Sequence, residues 1–103
     1  MEAEERRVWA IRGAITVDSD SVEAVDSAVK EMLDAIYMEN GIVEDNVVFT
    51  LFSQTEDIKA RNAAAAARKN GYSTHTPLFC VQEASVENML PLTIRVLIEI
   101  EKK

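Results

Sequence analysis

The chain has 103 residues, a formal charge of −7 and a single cysteine, Cys80. Clustered lysine and arginine drive binding to nucleic acids and to anionic membrane surfaces, so the acidic balance argues against both as partners. One cysteine permits no internal disulfide, no apolar run approaches the roughly 20 residues of a membrane helix, and the charged N-terminus lacks a signal-peptide core. We therefore expect a single domain over residues 1–103, located in the cytoplasm.

The N-terminal part predicts a charged lead-in followed by a strand. Residues 1–7 mix both charge signs, and we expect them to be solvated. Val8–Val17 is typical of a strand, in which alternation puts Arg12 on one face and Trp9 on the other. Gly13 permits either a backbone turn or a close approach that a side chain would block.

A long amphipathic helix is predicted after this strand. Asp20 with Glu23 three positions later resembles a capping box, and Gly41 suits the C-terminal end of a helix. The pattern predicts a helix of roughly five turns. The apolar residues that recur at helical spacing are Val22, Val25, Val29, Met32, Leu33 and Ile36.

The remaining residues predict three more strands and a second helix. Asn46–Phe52 is almost continuously apolar, which is typical of a central strand covered on both faces. Ala60–Asn70 contains five consecutive alanines and predicts a helix that packs closely. Thr76–Gln82 and Leu92–Glu101 are typical of strands, with a turn or a short helical piece between them at Ala84–Met89.

The resulting order, β-α-β-α-β-β, predicts an α+β sandwich in which two helices cover one face of a four-stranded sheet. The other face holds large residues, such as Trp9 or its neighbours and Leu97, which a monomer would expose as an apolar patch. We expect self-association to bury this face, with clefts where subunits meet.

Three charged residues at strand positions are candidates for a binding site: Arg12, Glu83 and Arg95. Arginine recognises carboxylates through two parallel hydrogen bonds, so this set predicts a pocket for a small dicarboxylate. The alternative is structural, with both arginines paired to Glu83 or to Glu99 and Glu101. Composition alone does not separate the two hypotheses.

Other chemistry has less support in the sequence. Zinc sites need more cysteine and histidine than the chain contains, and no glycine-rich loop is present to cradle a phosphate. An odd spacing separates Cys80 from His75, which puts the two on opposite faces of a regular strand. Arg68 lies near the end of the second predicted helix, where it serves either the helix dipole or a ligand. We therefore predict neither a metal nor a cofactor.

Five segments, in order and at matching spacing between about residues 8 and 101, resemble the AroH class of chorismate mutases. The most specific is Ile11–Val17, with the sequence IRGAITV. The next is Pro77–Glu83, which is followed twelve residues later by an arginine. The others are Thr55–Ile58, the helix end Ala66–Arg68, and Ile94–Val96.

The resemblance implies a homotrimer of mixed four-stranded sheets that face inward, with active sites at the subunit interfaces. Such enzymes convert chorismate to prephenate by a Claisen rearrangement in aromatic amino-acid biosynthesis, without a cofactor or a covalent intermediate. Arg12 matches the arginine that holds a substrate carboxylate, Arg95 the one beside the breaking ether oxygen, and Glu83 the acceptor for the substrate hydroxyl. These three are the expected catalytic residues. Further substrate contacts are implied for Arg68, Phe79, Cys80, Val81 and Gln82.

Two departures from the family pattern leave alternatives open. Asn62 and Ala65 stand where some members have an aromatic residue and a lysine. Family members also usually continue into a tail with a tyrosine that contacts the substrate, whereas this sequence ends at Lys103. The alternatives are a shortened chain, an open pocket with impaired activity, or a trimeric module that binds a small carboxylate without catalysis.

Overall fold

The computed structural model, which describes residues 7–102, is a four-stranded mixed sheet with two helices on one face. A short 3-10 turn, Glu44–Asn46, leads into the second strand. The predicted α+β class and the order β-α-β-α-β-β are confirmed. The strands are β1 (Arg7–Thr16), β2 (Val47–Gln54), β3 (Leu78–Gln82) and β4 (Thr93–Lys102), and the helices are α1 (Val22–Asn40) and α2 (Ala63–Lys69).

The strands lie in the order β1-β4-β2-β3, so β4 and β2 are central and β1 and β3 form the edges. β4 runs antiparallel to both of its neighbours, whereas β3 pairs with β2 in parallel. The central place predicted for the second strand is confirmed. Its two faces are not equally covered within one chain, however, because Thr50 and Phe52 are buried whereas Phe49 and Leu51 on the other face are only partly buried.

The core fills the space between the helices and one face of the sheet. Alternation along β4 sends every second residue to this face, and α1 adds the apolar stripe that its spacing predicts, except Val22 in the first turn, which is exposed. The alanines of α2 that face the sheet are fully buried, which lets this short helix pack closely. The largest fully buried side chains are Phe52, Leu33, Ile94, Ile98 and Ile100.

Gly13 lies within β1 at the point where α1 crosses it. A methyl group built on Gly13 would lie 2.6 Å from Cδ1 of Ile36. Any side chain here would therefore push the Ile36 side chain, and with a larger residue the helix, away from the sheet. The close approach predicted for Gly13 is confirmed, whereas the predicted turn is not, because the strand continues to Thr16.

The cap of α1 differs from the prediction. Ser21 occupies the N-cap position, and its hydroxyl accepts a hydrogen bond from the N–H of Ala24 at 3.1 Å. Asp20 instead accepts from the backbone N–H groups of Lys59 and Ala60, both at 2.9 Å. The Asp20 carboxylate thus binds backbone groups that are distant in sequence and does not cap the helix. Gly41 ends the helix in the left-handed conformation, as predicted.

The second helix is shorter than predicted. It begins at Ala63, because Asn62 caps it by accepting from two backbone N–H groups of the first turn. Residues 59–62 form the connection that Asp20 holds. The segment Ala84–Met89 contains turns and no helix. None of the helices in residues 7–102 is long and apolar enough to cross a bilayer.

The N-terminal strand begins one residue earlier than expected, and its neighbouring residues divide between the two faces. Arg7, expected in the lead-in, is the first residue of β1 and pairs with Lys102. Residues 1–6 of the predicted lead-in lie outside the described residues. Trp9 pairs with Ile100 and so lies on the helix side of the sheet, whereas its neighbour Val8 lies on the opposite side.

The loop after β2 fixes the start of β4. The carboxylate of Asp57 accepts from the N–H of Leu92 at 3.0 and 3.2 Å and from the hydroxyl of Thr55. Leu92 has a φ of 47°, a left-handed conformation that is uncommon for leucine. The Thr55 hydroxyl, and after it the Leu92 N–H, lowers the pKa of the Asp57 carboxyl below its ordinary value of 3.8.

We expect Asp57→Asn to lower the free energy of unfolding by about 1 kcal/mol near neutral pH, after allowance for solvent screening of this exposed group. Since the carboxyl pKa is lower in the folded chain, the stability contributed by Asp57 is present above 3.8 and is lost as the pH falls through the folded-state pKa. Chemical denaturation of both proteins from about pH 7 to about pH 2.5 measures this difference. A difference that stays constant over this range would contradict a role for the charge.

Candidate functional site

The face of the sheet without helices, here called the open face, carries a concavity of about 610 Å³. Arg12 of β1 and Arg95 of β4 line it together with Ser53 of β2 and Val81 of β3. The strand registers place these residues on one face, because Ser53 pairs with both Arg95 and Val81. The concavity therefore draws on all four strands.

Glu83 and Arg95, brought together as the sequence predicted, form an ion pair at the edge of this concavity. Nε of Arg95 lies 3.2 Å from Oε1 of Glu83, and the Arg95 side chain is 55% exposed against 26% for Glu83. The hydroxyl of Ser53 donates to the same carboxylate oxygen at 2.7 Å. Glu83 is held in place because its own N–H donates to the carbonyl of Gln54 at 2.8 Å, which continues the pairing of β3 with β2.

Arg12 lies on the other side of the concavity and has an exposed side chain. Within residues 7–102 it makes no ion pair and no side-chain hydrogen bond. The structural alternative raised by the sequence thus applies to one arginine only. Arg95 lies closest to Glu83 through Nε, while its two terminal nitrogens donate no hydrogen bond and the Arg12 guanidinium has no partner in the described part of the chain.

The outer strand β3 contributes exposed apolar side chains and a strand edge. Phe79 is 71% exposed and, with Leu51 and Pro77, lines a second and more apolar concavity of about 510 Å³. β3 pairs only with β2, so its outer backbone edge has no strand partner among the described residues. Val81 lies on the open face and Gln82 on the other, as alternation requires.

Cys80 lies on the helix side of β3. It pairs with the buried Phe52, and its thiol donates to Oε1 of Gln54 at 3.3 Å. Burial raises the pKa of the Cys80 thiol. Within one chain the thiol is therefore separated by the sheet from Arg12 and Arg95, and its hydrogen-bond partner is an amide and not a histidine.

Arg68 is also apart from the concavity. It lies in the last turn of α2, the helix that packs on the opposite face of the sheet, and its side chain is exposed. One chain thus brings together Arg12, Glu83 and Arg95 but does not bring Arg68 to them. Its position fits the dipole alternative, because a cation in the last turn of a helix is favoured.

Sequence reasoning missed Ser53, which contacts Glu83 directly. The predicted strand ended at Phe52, whereas β2 continues through Ser53 to Gln54. Continuing the alternation by one residue beyond Phe52 would have placed Ser53 on the same face as Leu51.

In the described part of the chain, no group of three or more His, Cys, Asp or Glu side chains is arranged to hold a metal ion.

Comparisons with known proteins agree on one family. A sequence profile of the family described as chorismate mutase type I matches residues 8–103. The chain is 40% identical to the chorismate mutase AroH of Thermus thermophilus over 91 residues, which are 87% of this chain and 74% of that protein. It is 35% identical over 94 residues to the chorismate mutase AroH of Bacillus subtilis (strain 168), covering 91% of this chain and 74% of that protein.

A solved structure gives the same result. The chorismate mutase from Clostridium thermocellum matches this chain with a TM-score of 0.84 and 34% sequence identity. The match covers 89% of this chain and 81% of that one. The fold and the sequence thus point to the same set of relatives.

The placement of Cys80 predicts slow thiol chemistry. Because burial raises the pKa of the thiol, little thiolate is present near neutral pH, and we expect alkylation by iodoacetamide to be much slower than for a free cysteine. The rate of alkylation should rise as the pH increases above the ordinary pKa of a thiol. The chain unfolded in denaturant is the control and should react like free cysteine. Rapid, stoichiometric alkylation of the folded chain at neutral pH would contradict this placement.

Proposed function

Since the chain belongs to the chorismate mutase type I family, we propose that its open-face concavity is the active site for the rearrangement of chorismate to prephenate. The observation that carries the proposal is that two guanidinium groups, from Arg12 and Arg95, line one concavity beside the carboxylate of Glu83.

We also propose that the protein is located in the cytoplasm, which the single free cysteine fits.

Charge explains how an acidic chain binds a dianionic substrate. Two guanidinium groups line the concavity and one carboxylate lies at its edge, so the local charge is positive although the chain carries −7. Focused cations of this kind outweigh a distant negative field. Arg12 has all its nitrogens available among the described residues, which suits two-point binding of a substrate carboxylate.

The catalytic step needs a cation beside the ether oxygen of the substrate. The bond to this oxygen breaks ahead of carbon–carbon bond formation, so negative charge grows on the oxygen in the transition state. Nε of Arg95 makes the closest approach to Glu83, and the terminal nitrogens, which donate no hydrogen bond within the described residues, can donate to that oxygen. A fixed cation there stabilises the transition state more than the ground state, which is the condition for catalysis.

Glu83 has a second role as a hydrogen-bond acceptor. Its Oε1 is shared by Arg95 and Ser53, and Oε2 is available to accept from the substrate hydroxyl. Holding the substrate at the carboxylate and hydroxyl ends favours its compact, reactive shape. No proton changes place in the reaction, so the site needs no general base.

Arg68 enters this site only from a neighbouring subunit. It lies on the far side of the sheet from Arg12 and Arg95, while α2 packs on β2 and β3, towards one edge of the sheet. We propose a homotrimer with the open faces inward, in which the α2 end of one subunit approaches the concavity of the next. The exposed apolar side chains Val8, Phe79 and Val81 support burial of this face.

We expect Arg95→Ala to lower kcat for chorismate at least about a hundredfold, or roughly 3 kcal/mol, because a preorganised cation is lost. Arg95→Lys should fall in between, since it keeps the charge but loses the planar geometry. Loss of chorismate absorbance in steady-state assays measures both.

Arg61→Ala is the matched control. Arg61 also pairs with a carboxylate through Nε, at 2.9 Å from Asp26, but on the helix side. This variant should lower the stability and keep kcat near that of the wild type. Turnover by folded Arg95→Ala within a few-fold of wild type would contradict the mechanism, and a wild-type chain that binds chorismate without turnover would favour the non-catalytic module.

Subunit mixing tests the shared site. We expect Arg68→Ala and Arg95→Ala each to be impaired, and random exchange of their subunits should restore about a quarter of the wild-type activity, because each interface then has that chance of receiving both arginines. Mixing by mild denaturation and refolding, with each variant treated alone as the control, gives the measurement. No recovery in mixed trimers, or a monomer by sedimentation, would contradict a site between subunits.

A further inference from the structure

Ser53 lies on the open face, in β2, between the strands β4 and β3. It pairs with Arg95 on β4 and with Val81 on β3, and its side chain is partly buried in the lining of the concavity. Its hydroxyl donates to Oε1 of Glu83 at 2.7 Å. It is thus the only side chain among residues 7–102 that donates a hydrogen bond to this carboxylate, beside the Arg95 ion pair.

The two oxygens of Glu83 have different surroundings. Oε1 receives the Ser53 hydroxyl at 2.7 Å and lies 3.2 Å from Nε of Arg95. No residue among 7–102 donates a hydrogen bond to Oε2. The hydroxyl therefore fixes which oxygen faces Arg95 and which is presented to a ligand.

The same contact controls the geometry of Arg95. Arginine and carboxylate prefer a two-point pair with parallel N–H···O bonds. In this structure no hydrogen bond joins Arg95 to either oxygen; the closest approach is that of Nε to Oε1 at 3.2 Å, and the hydroxyl of Ser53 holds that oxygen. Without the hydroxyl, the carboxylate is free to rotate into the two-point pair and occupy a terminal nitrogen of Arg95.

We propose that Ser53 is a positioning residue of the mutase site, which keeps Glu83 from forming a two-point pair with Arg95, so that one carboxylate oxygen and the terminal guanidinium nitrogens remain available to the substrate. The proposal rests on the function proposed above. It assigns Ser53 no contact with the reacting atoms, so its effect passes through Glu83.

Kinetics of Ser53→Ala and Ser53→Thr test this assignment. We expect Ser53→Ala to lower kcat about tenfold, with a smaller change in KM, because the nitrogens withdrawn from the ether oxygen act mainly in the transition state. Ser53→Thr keeps the hydroxyl on a residue that favours strands and should stay within about threefold of wild type. Ser27→Ala, at an exposed serine of α1, is the control and should match wild type.

A double-mutant cycle separates positioning from a general structural effect. If Ser53 acts through Glu83, adding Ser53→Ala to Glu83→Ala should change kcat less than about twofold. Equal effects of Ser53→Ala in both backgrounds would overturn the proposal. So would wild-type kcat in Ser53→Ala, or a Ser53→Thr variant as impaired as Ser53→Ala. Should Ser53→Ala not fold, Ser53→Cys, whose thiol donates weakly, replaces it in the cycle.

Failure of the proposed function is recognised separately. A wild-type chain without turnover overturns that function. The contact between Ser53 and Glu83 is then tested by measuring chemical denaturation of the same single and double variants. Non-additive effects on the unfolding midpoint support the contact, whereas additive effects overturn it.

Discussion

Alternation along β4 is the constraint on which the rest of the molecule depends. One strand supplies the buried residues Ile94, Val96 and Ile98 to the helix side and Arg95 to the open face. The charge can point away from the core only because the neighbouring residues point into it. A slip of one residue would bury the guanidinium and expose the isoleucines, so the energy that fixes the core also fixes the position of the cation.

The register is in turn fixed from outside the strand. Leu92 precedes β4 in a left-handed conformation, held by the Asp57 carboxylate, and its carbonyl accepts from the N–H of Val17 at 2.7 Å. The N–H of Thr55 donates to the carbonyl of Thr93, and the N–H of Thr93 donates to the hydroxyl of Thr55. These contacts join the loop after β2 to the strand that carries Arg95, so polar loop residues outside the concavity contribute to its geometry.

The sequence was sufficient for what depends on periodicity. The order of elements, the buried stripe of α1, the split faces of β4 and the grouping of Arg12, Glu83 and Arg95 all follow from local pattern and from resemblance. What it did not give depends on partners distant in the chain. Asp20 does not cap the helix, because its carboxylate accepts from two N–H groups about forty residues away in the chain. Ser53 contacts Glu83 only because β3 pairs in parallel with β2.

The end of β2 connects the two parts of the proposed interface site. Ser53 points to the open face and bonds Glu83, whereas the next residue, Gln54, points to the helix side. The Gln54 side chain donates to the carbonyls of Ile58 and Arg61 and accepts from the N–H of Ala63, the first residue of α2. Two consecutive residues thus set the carboxylate on one face and the start of the Arg68 helix on the other. In a closed trimer, the distance between the cations of adjacent subunits would therefore depend on one strand end, which is held by hydrogen bonds on both faces.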